Sequence, residues 1–277
     1  MLDLSLFRIR NFAVANLTTL TVYAGLGAGL LFTGLFLQQV VGYSALEAGL
    51  ATTPISLCLF LLSPRWGKLA SGVGPRLPMT LGPIVGGVGM VLFMRLDPGA
   101  DYVTDVLPAV LVFGLGLSAT VAPLTATVLD SVSERRVGIA SGVNNGVSRV
   151  AGLLAIAVLG AVISAHFGAR LDAELASPTT VGGSGPKSFG APGTPAGEAI
   201  AEAKEQPLGV PDTEEVPPAQ ARAIVAASTE ASTSAFHLGA LIAGILMILG
   251  GIASAIGIEN PRRAADAAKK LDLVADG

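Results

Sequence analysis

FAVANLTTLTVYAGLGAGLLFTGLFLQQVV, residues 12–41, runs for 30 positions without a charge. A hydrocarbon core about 30 Å thick needs about 20 apolar residues in a helix rising about 1.5 Å per residue. The run is too long for the core of a signal peptide, which spans about 7–15 residues before a cleavage site. Arg8 and Arg10 stand just ahead of it. It reads as a membrane span and sets the frame for everything around it.

Five further stretches qualify, so the expected spans are roughly 12–40, 46–62, 77–96, 106–129, 137–165 and 235–258. The composition agrees. Hydrophobic residues make up 51% of the 277 and charged residues only 13%, against roughly 25% in a soluble domain. The fold class is therefore all-α and integral to the membrane, with six transmembrane helices and the lipid bilayer as solvent. Gly25, Gly29, Pro54, Gly82, Pro83, Pro108 and Pro123 fall inside these spans, where neighbouring helices satisfy the backbone groups they free.

Several function classes drop out. A net charge of −3 with no dense basic cluster excludes a nucleic-acid partner. Cys58 is the one cysteine, and His166 and His237 lie far apart, so neither a disulfide framework nor a zinc site is expected. No phosphate-cradling loop, paired acid and base or nucleophile triad is present, which leaves no cofactor and no enzyme to expect.

Basic residues set the orientation. With the N-terminus inside, 11 of the 17 arginines and lysines fall in inner segments, among them Arg8, Arg10, Arg65, Lys68, Arg76, Arg135 and Arg136. The short outer turns at 41–44 and 97–105 hold none. This is the positive-inside pattern, with both termini cytoplasmic. The domain organisation is then a five-helix part at 1–165, a long extracytoplasmic loop at 166–234, a sixth helix at 235–258 and a cytoplasmic tail at 259–277. The loop segment 177–218 is rich in Pro, Gly, Ser, Thr and Glu and should be largely disordered. The alanine-rich 219–234 has the composition to extend the last helix outward.

Two stretches carry polar chemistry inside this apolar frame. Between spans 2 and 3 lies Gly67-Lys-Leu69-Ala-Ser71-Gly72-Val-Gly74-Pro-Arg76. Glycines and basic residues at helix ends suit a hinge; a tight positive-inside loop explains them equally well. In span 5, Gly138, Gly142 and Gly146 repeat every fourth position and predict one smooth face for close helix packing. Further along, Arg149 lies about 18 Å in from Val137, near the midplane. An arginine there costs about 3 kcal/mol, so it should face a cavity or a partner. Asn145 lies one turn away on a similar face, and Asn144 beside it is a further polar candidate for the cavity. The alternative is a structural arginine held by carbonyls of a broken neighbouring helix. Gln38 and Gln39 either line the outer mouth of a pathway or are simply solvated at the interface. Glu47 suits a helix cap better than a proton carrier. Asp130 is expected to pair with Arg135 or Arg136, and Trp66, Tyr43 and Tyr102 fit the aromatic belt.

The 67–76 turn resembles the second-half copy of the glycine–basic loop of the major facilitator superfamily, G-x-L-x-D-R-x-G-R-R. Gly67, Leu69, Gly74 and Arg76 match, whereas Ser71 stands for the usual acid and Gly72 for the usual arginine. Residues 138–152 resemble the run G-x-A-S-G-x-N-N, ending in an arginine and small residues, of its drug:proton antiporter branch with fourteen helices. The openings 4–12 and 37–50 are similar to the same branch. The resemblance implies one six-helix half-bundle of that fold, the C-terminal half. It further implies a proton-driven exporter of small hydrophobic or cationic substrates, seated in a bacterial inner membrane. Its partner would be the missing N-terminal half or a second copy of itself. No carboxylate but Glu47 lies in a span, so the titrating acid would belong to the other half. A non-transporting scaffold or regulatory subunit is the competing expectation.

Overall fold

The computed structural model describes residues 4–176, 190, 191 and 193–260. Among them, six helices are long and apolar enough to cross a membrane. They are built on α1 (Arg10–Gln39), α2 (Ala45–Val73), α3 (Arg76–Leu92), α4 (Leu107–Asp130), α5 (Val137–Ala176) and α7 (Pro218–Gly257), with helical turns extending α3 to Arg95 and leading into α4 from Tyr102 and α5 from Glu134; α6 (Pro195–Glu205) is a short helix between the last two.

Local chemistry fixes several of the ends. Ser44 and Glu47 form a reciprocal capping box: the Glu47 amide donates to Ser44 Oγ at 3.2 Å, and the Ser44 amide donates to Glu47 Oε2 at 2.8 Å. Glu47 is thereby a cap, as its position at a helix entrance suggests. The α2 helix runs on past its expected end at 62 and through Pro54 and Pro64. Ser63 Oγ reaches the Ser118 carbonyl of α4 at 3.4 Å. Neighbouring helices tolerate such prolines in a membrane where water would not. Gly67 and Leu69 are consequently helical, and the turn to α3 shrinks to Gly74 and Pro75.

Contacts along each helix pair give the direction of every crossing. Thr18 Oγ1 meets Ser254 Oγ at 2.7 Å, and Phe36 stacks on Phe236 with ring centres 4.2 Å apart, so α1 and α7 are antiparallel. Thr19 Oγ1 donates to Asn144 Oδ1 at 2.7 Å, and a Cβ on Gly27 would lie 3.0 Å from Gly152 Cα, so α1 and α5 are parallel. In the same way Ile55 with Gly114 and Gly67 with Ala122 make α2 and α4 parallel. Gly82 with Thr120 and Gly89 with Phe113 make α3 and α4 antiparallel. The start of α1, the α2–α3 turn, the α4–α5 turn and the end of α7 therefore share one end of the bundle. Small residues mark the closest crossings: a Cβ on Gly116 would overlap the Gly86 backbone and lie 2.7 Å from the Gly82 carbonyl.

At the opposite end the structure corrects the sequence reading. α5 and α7 are 40 residues each, about 60 Å at 1.5 Å per residue, twice the hydrocarbon thickness. On α5 the buried stripe Ala151, Ala155, Leu159, Ile163, Phe167, Leu171 and Leu175 continues unbroken past residue 165. Against this projection lies α6, which buries Ala196, Ala199 and Ala203, with Lys204 Nζ 2.6 Å from Asp172 Oδ1. The segment expected to be a loop lacking structure therefore contains a small helical lobe. Composition misleads there because alanines at helical spacing pack closely while adding little hydropathy. The expectation for residues 177–189 and 192 lies outside the described residues.

Candidate functional site

The pairings above define a layer at mid-depth. Thr19 with Asn144 and Gly27 with Gly152 place Arg149 level with Tyr23 on α1. Gly25 meets Met247, and Gly114 meets Cys58, in the same layer. Arg149 is exposed and makes no hydrogen bond or ion pair among the described residues. Asn145 beside it is exposed too, whereas Asn144 is half-buried and held by Thr19. The structure thus separates the two asparagines: one braces α5 against α1, and the other shares the open face with Arg149.

Gly138, Gly142 and Gly146 have no atom of another element within 4 Å of a built Cβ. The expected close packing of this glycine face is therefore not made among the described residues. The helix rotates it outward because Ala140, Ala151 and Ala155 already fill the seam with the bundle. The open side of α5 continues through Val150, Leu153, Leu154 and Val158, and α2 exposes Leu46, Leu50, Leu57, Phe60 and Leu61. Gln38 and Gln39, at the far end of α1, are exposed and distant from this layer; Gln38 Nε2 donates to the Gly34 carbonyl at 3.0 Å.

The second site is the α2–α3 turn. Gly74 has φ 95° and ψ 157°, a region that residues with a Cβ avoid. Asn260, just beyond α7, sits over it. Its Oδ1 accepts from the Arg76 amide at 3.1 Å, and its Nδ2 donates to the Val73 carbonyl at 3.2 Å. Arg76 Nε donates to the Ala255 carbonyl at 2.7 Å. From α1, Arg10 donates to the carbonyls of Gly257 and Ile256 and to Glu259 Oε1, and Asn11 exchanges two 2.9 Å hydrogen bonds with the Glu259 backbone. The carbonyls left free at the end of α7 are thus capped by groups from α1 and α3. Gly74 and Arg76 belong to this strap; Gly67 and Leu69 lie a turn or more back on α2.

Beneath the strap opens a cavity of about 750 Å³, lined among others by Arg10, Ser71, Gly74, Ala126, Asp130 and Asn260. Asp130 makes no ion pair with Arg135 or Arg136 among the described residues, so the expected surface pair is absent. His237 Nε2 is 2.9 Å from the Leu96 carbonyl at the opposite end, which makes that nitrogen the donor. Among the described residues no group of histidine, cysteine and carboxylates could hold a metal.

A family model described as Major Facilitator Superfamily matches residues 2–156. The chain belongs to the major facilitator superfamily. It is 31% identical over 175 residues to the multidrug resistance protein Stp of Mycobacterium tuberculosis, covering 63% of this chain and 32% of that one. It is 33% identical over 155 residues to the multidrug export protein EmrB of Haemophilus influenzae (55% and 30%), and 28% over 163 residues to the quinolone resistance protein NorB of Staphylococcus aureus (58% and 35%). The match spans only about a third of the length of these curated relatives. With this membership and its six helices long and apolar enough to cross a membrane, the chain is a multi-pass membrane chain of a transporter superfamily and not of an enzyme family.

Sequence reasoning missed Asn260, Glu259 and Asn11. The signal available was a polar pair, Glu-Asn-Pro at 259–261, closing an apolar helix. It also missed Asn16, which is 2% exposed inside α1 and whose Oδ1 has no hydrogen-bond partner among the described residues.

Proposed function

We propose that this chain is the C-terminal half of a proton-coupled exporter of small hydrophobic or cationic molecules, working by alternating access. The observation that carries the reading is Arg149, uncovered at mid-depth on an open helix face. A guanidinium at that depth against lipid costs about 3 kcal/mol, which a water-filled pathway removes. A scaffold would hold it dry between helices. The open sides of α2 and α5 then meet the missing N-terminal half, or a second copy, and substrate passes between the two units at the midplane. The covered third of relatives named for multidrug resistance and export supports the same arrangement.

Arg149 and Asn145 line the pathway in this account, Asn144 positions α5, and Gln38 and Gln39 lie toward the outer mouth. Gly138, Gly142 and Gly146 provide the smooth face on which the second unit slides. Gly74 and Arg76 serve the conformational turn, and Gly67 and Leu69 belong to the last turns of the helix it moves. The end bearing Arg8, Arg10, Arg65, Lys68, Arg76, Arg135 and Arg136 is cytoplasmic, in a bacterial inner membrane. Among the described residues no carboxylate lies in the mid-depth layer, so the proton is carried by an acid of the other half. Ethidium efflux from energised cells expressing the whole protein tests this. Efflux that stops when a protonophore collapses the gradient supports coupling; efflux that continues unchanged overturns it.

A further inference from the structure

The cavity under the strap is a second place where a ligand can bind, well away from the mid-depth layer. Its volume of about 750 Å³ falls within the roughly 300–1,000 Å³ of pockets for drug-sized molecules. Apolar side chains line it from three sides, Ile9 just ahead of α1, Ala70 and Val73 on α2, and Pro123 and Ala126 on α4, interleaved with the polar Asn11, Ser71 and Thr127. Among the described residues the charges inside it do not cancel. Arg10 is the sole basic residue of the lining there, and its guanidinium is spent on Glu259 at 2.7 Å and on the carbonyls of Gly257 and Ile256. That leaves Asp130, a carboxylate with no hydrogen bond or ion pair among the described residues. Ser71 and Ser131 add hydroxyls beside it.

A concave, partly apolar site whose described residues leave one negative charge uncompensated selects a lipophilic cation. We propose that this cavity is a vestibule that captures lipophilic organic cations at the strap end of the bundle, with Asp130 as the group that reads the positive charge. It rests on the exporter reading for its purpose, since a site here loads the mid-depth pathway from the side on which α1 starts. Capture itself needs only the cavity and the carboxylate. The strap forms one wall through Gly74, Glu259 and Asn260, so movement of the α2–α3 turn changes the shape of the site.

Equilibrium binding separates the two readings, because it requires no transport cycle. The probe is tetraphenylphosphonium, titrated into the purified whole protein in detergent, with triphenylphosphine oxide as the neutral analogue. Asp130→Asn is exposed and isosteric; it should weaken the cation by about fivefold, the scale of an exposed ion pair, and leave the neutral analogue unchanged. Ala126→Phe projects a ring into the cavity and should weaken both by about tenfold or more. Glu214→Gln, an exposed acid of the lobe, should change neither. Monodisperse elution confirms that each variant is folded. Wild-type affinity for the cation in both Asp130→Asn and Ala126→Phe overturns the proposal. Asp130-dependent binding by a protein that shows no efflux keeps the site and removes the exporter reading. Efflux with Asp130-independent binding does the reverse.

Discussion

Replacing Gly74 by alanine puts the strap under direct test. Gly74 lies at φ 95°, ψ 157°, where a residue with a Cβ costs about 1–3 kcal/mol. The new methyl would also land on the Asn260 carboxamide, within 2.6 Å of Nδ2 and closer still to Cγ and Oδ1. Asn260 must then swing away and lose its hydrogen bonds to the Arg76 amide (3.1 Å) and the Val73 carbonyl (3.2 Å). Two such bonds contribute about 1–3 kcal/mol together. Gly74→Ala should therefore destabilise by about 2–6 kcal/mol and Asn260→Ala by about 1–3 kcal/mol. In the Gly74→Ala background, Asn260→Ala has almost nothing left to remove, so the double variant should match Gly74→Ala alone. The assay is a double-mutant cycle from unfolding in detergent micelles. Strict additivity, with coupling below about 0.5 kcal/mol, would show that Asn260 does not hold the turn.

Other substitutions address separate parts of the account. Gly116→Leu forces α3 and α4 apart at the Gly86 crossing and should sharply lower the monodisperse yield, whereas Gly138→Ala meets open space and should shift the melting temperature by less than about 2 °C. Ser44→Ala breaks the capping box and should cost about 1 kcal/mol, read as faster amide exchange in the first turn of α2. Lys204→Ala removes a pair whose side chains are 39% and 62% exposed; it should cost less than about 1 kcal/mol, so limited proteolysis of the lobe should change little.

The spans were legible because a hydrocarbon core imposes a single, coarse requirement on composition. Each of the six expected crossings overlaps one observed helix, four of them overrunning it by one to four residues at one end, and Glu47 announced its capping role by standing three residues after Ser44. What the sequence hid was where helices stop. Arg65 and Lys68 look like the end of a span, yet α2 continues to Val73, since a helix does not end where the hydrocarbon does. The lobe was hidden by alanine, whose burial depends on spacing more than on hydropathy. At the site, the depth of Arg149 followed from counting residues, but its exposure did not. The four-residue glycine repeat suggested packing; only the rotation set by Ala140, Ala151 and Ala155 revealed that this face is open. The strap was out of reach because Asn11, Arg76 and Asn260 lie far apart in sequence and meet only when α1, α3 and α7 share an end.

In the proposed exporter, the open face carrying Arg149 lines the transport pathway. The most direct measurement compares ethidium efflux by the wild-type protein and by Arg149→Leu at equal levels in the membrane. Arg149→Leu should insert normally, because it removes a mid-depth charge, and lose efflux. Wild-type efflux from Arg149→Leu would contradict it.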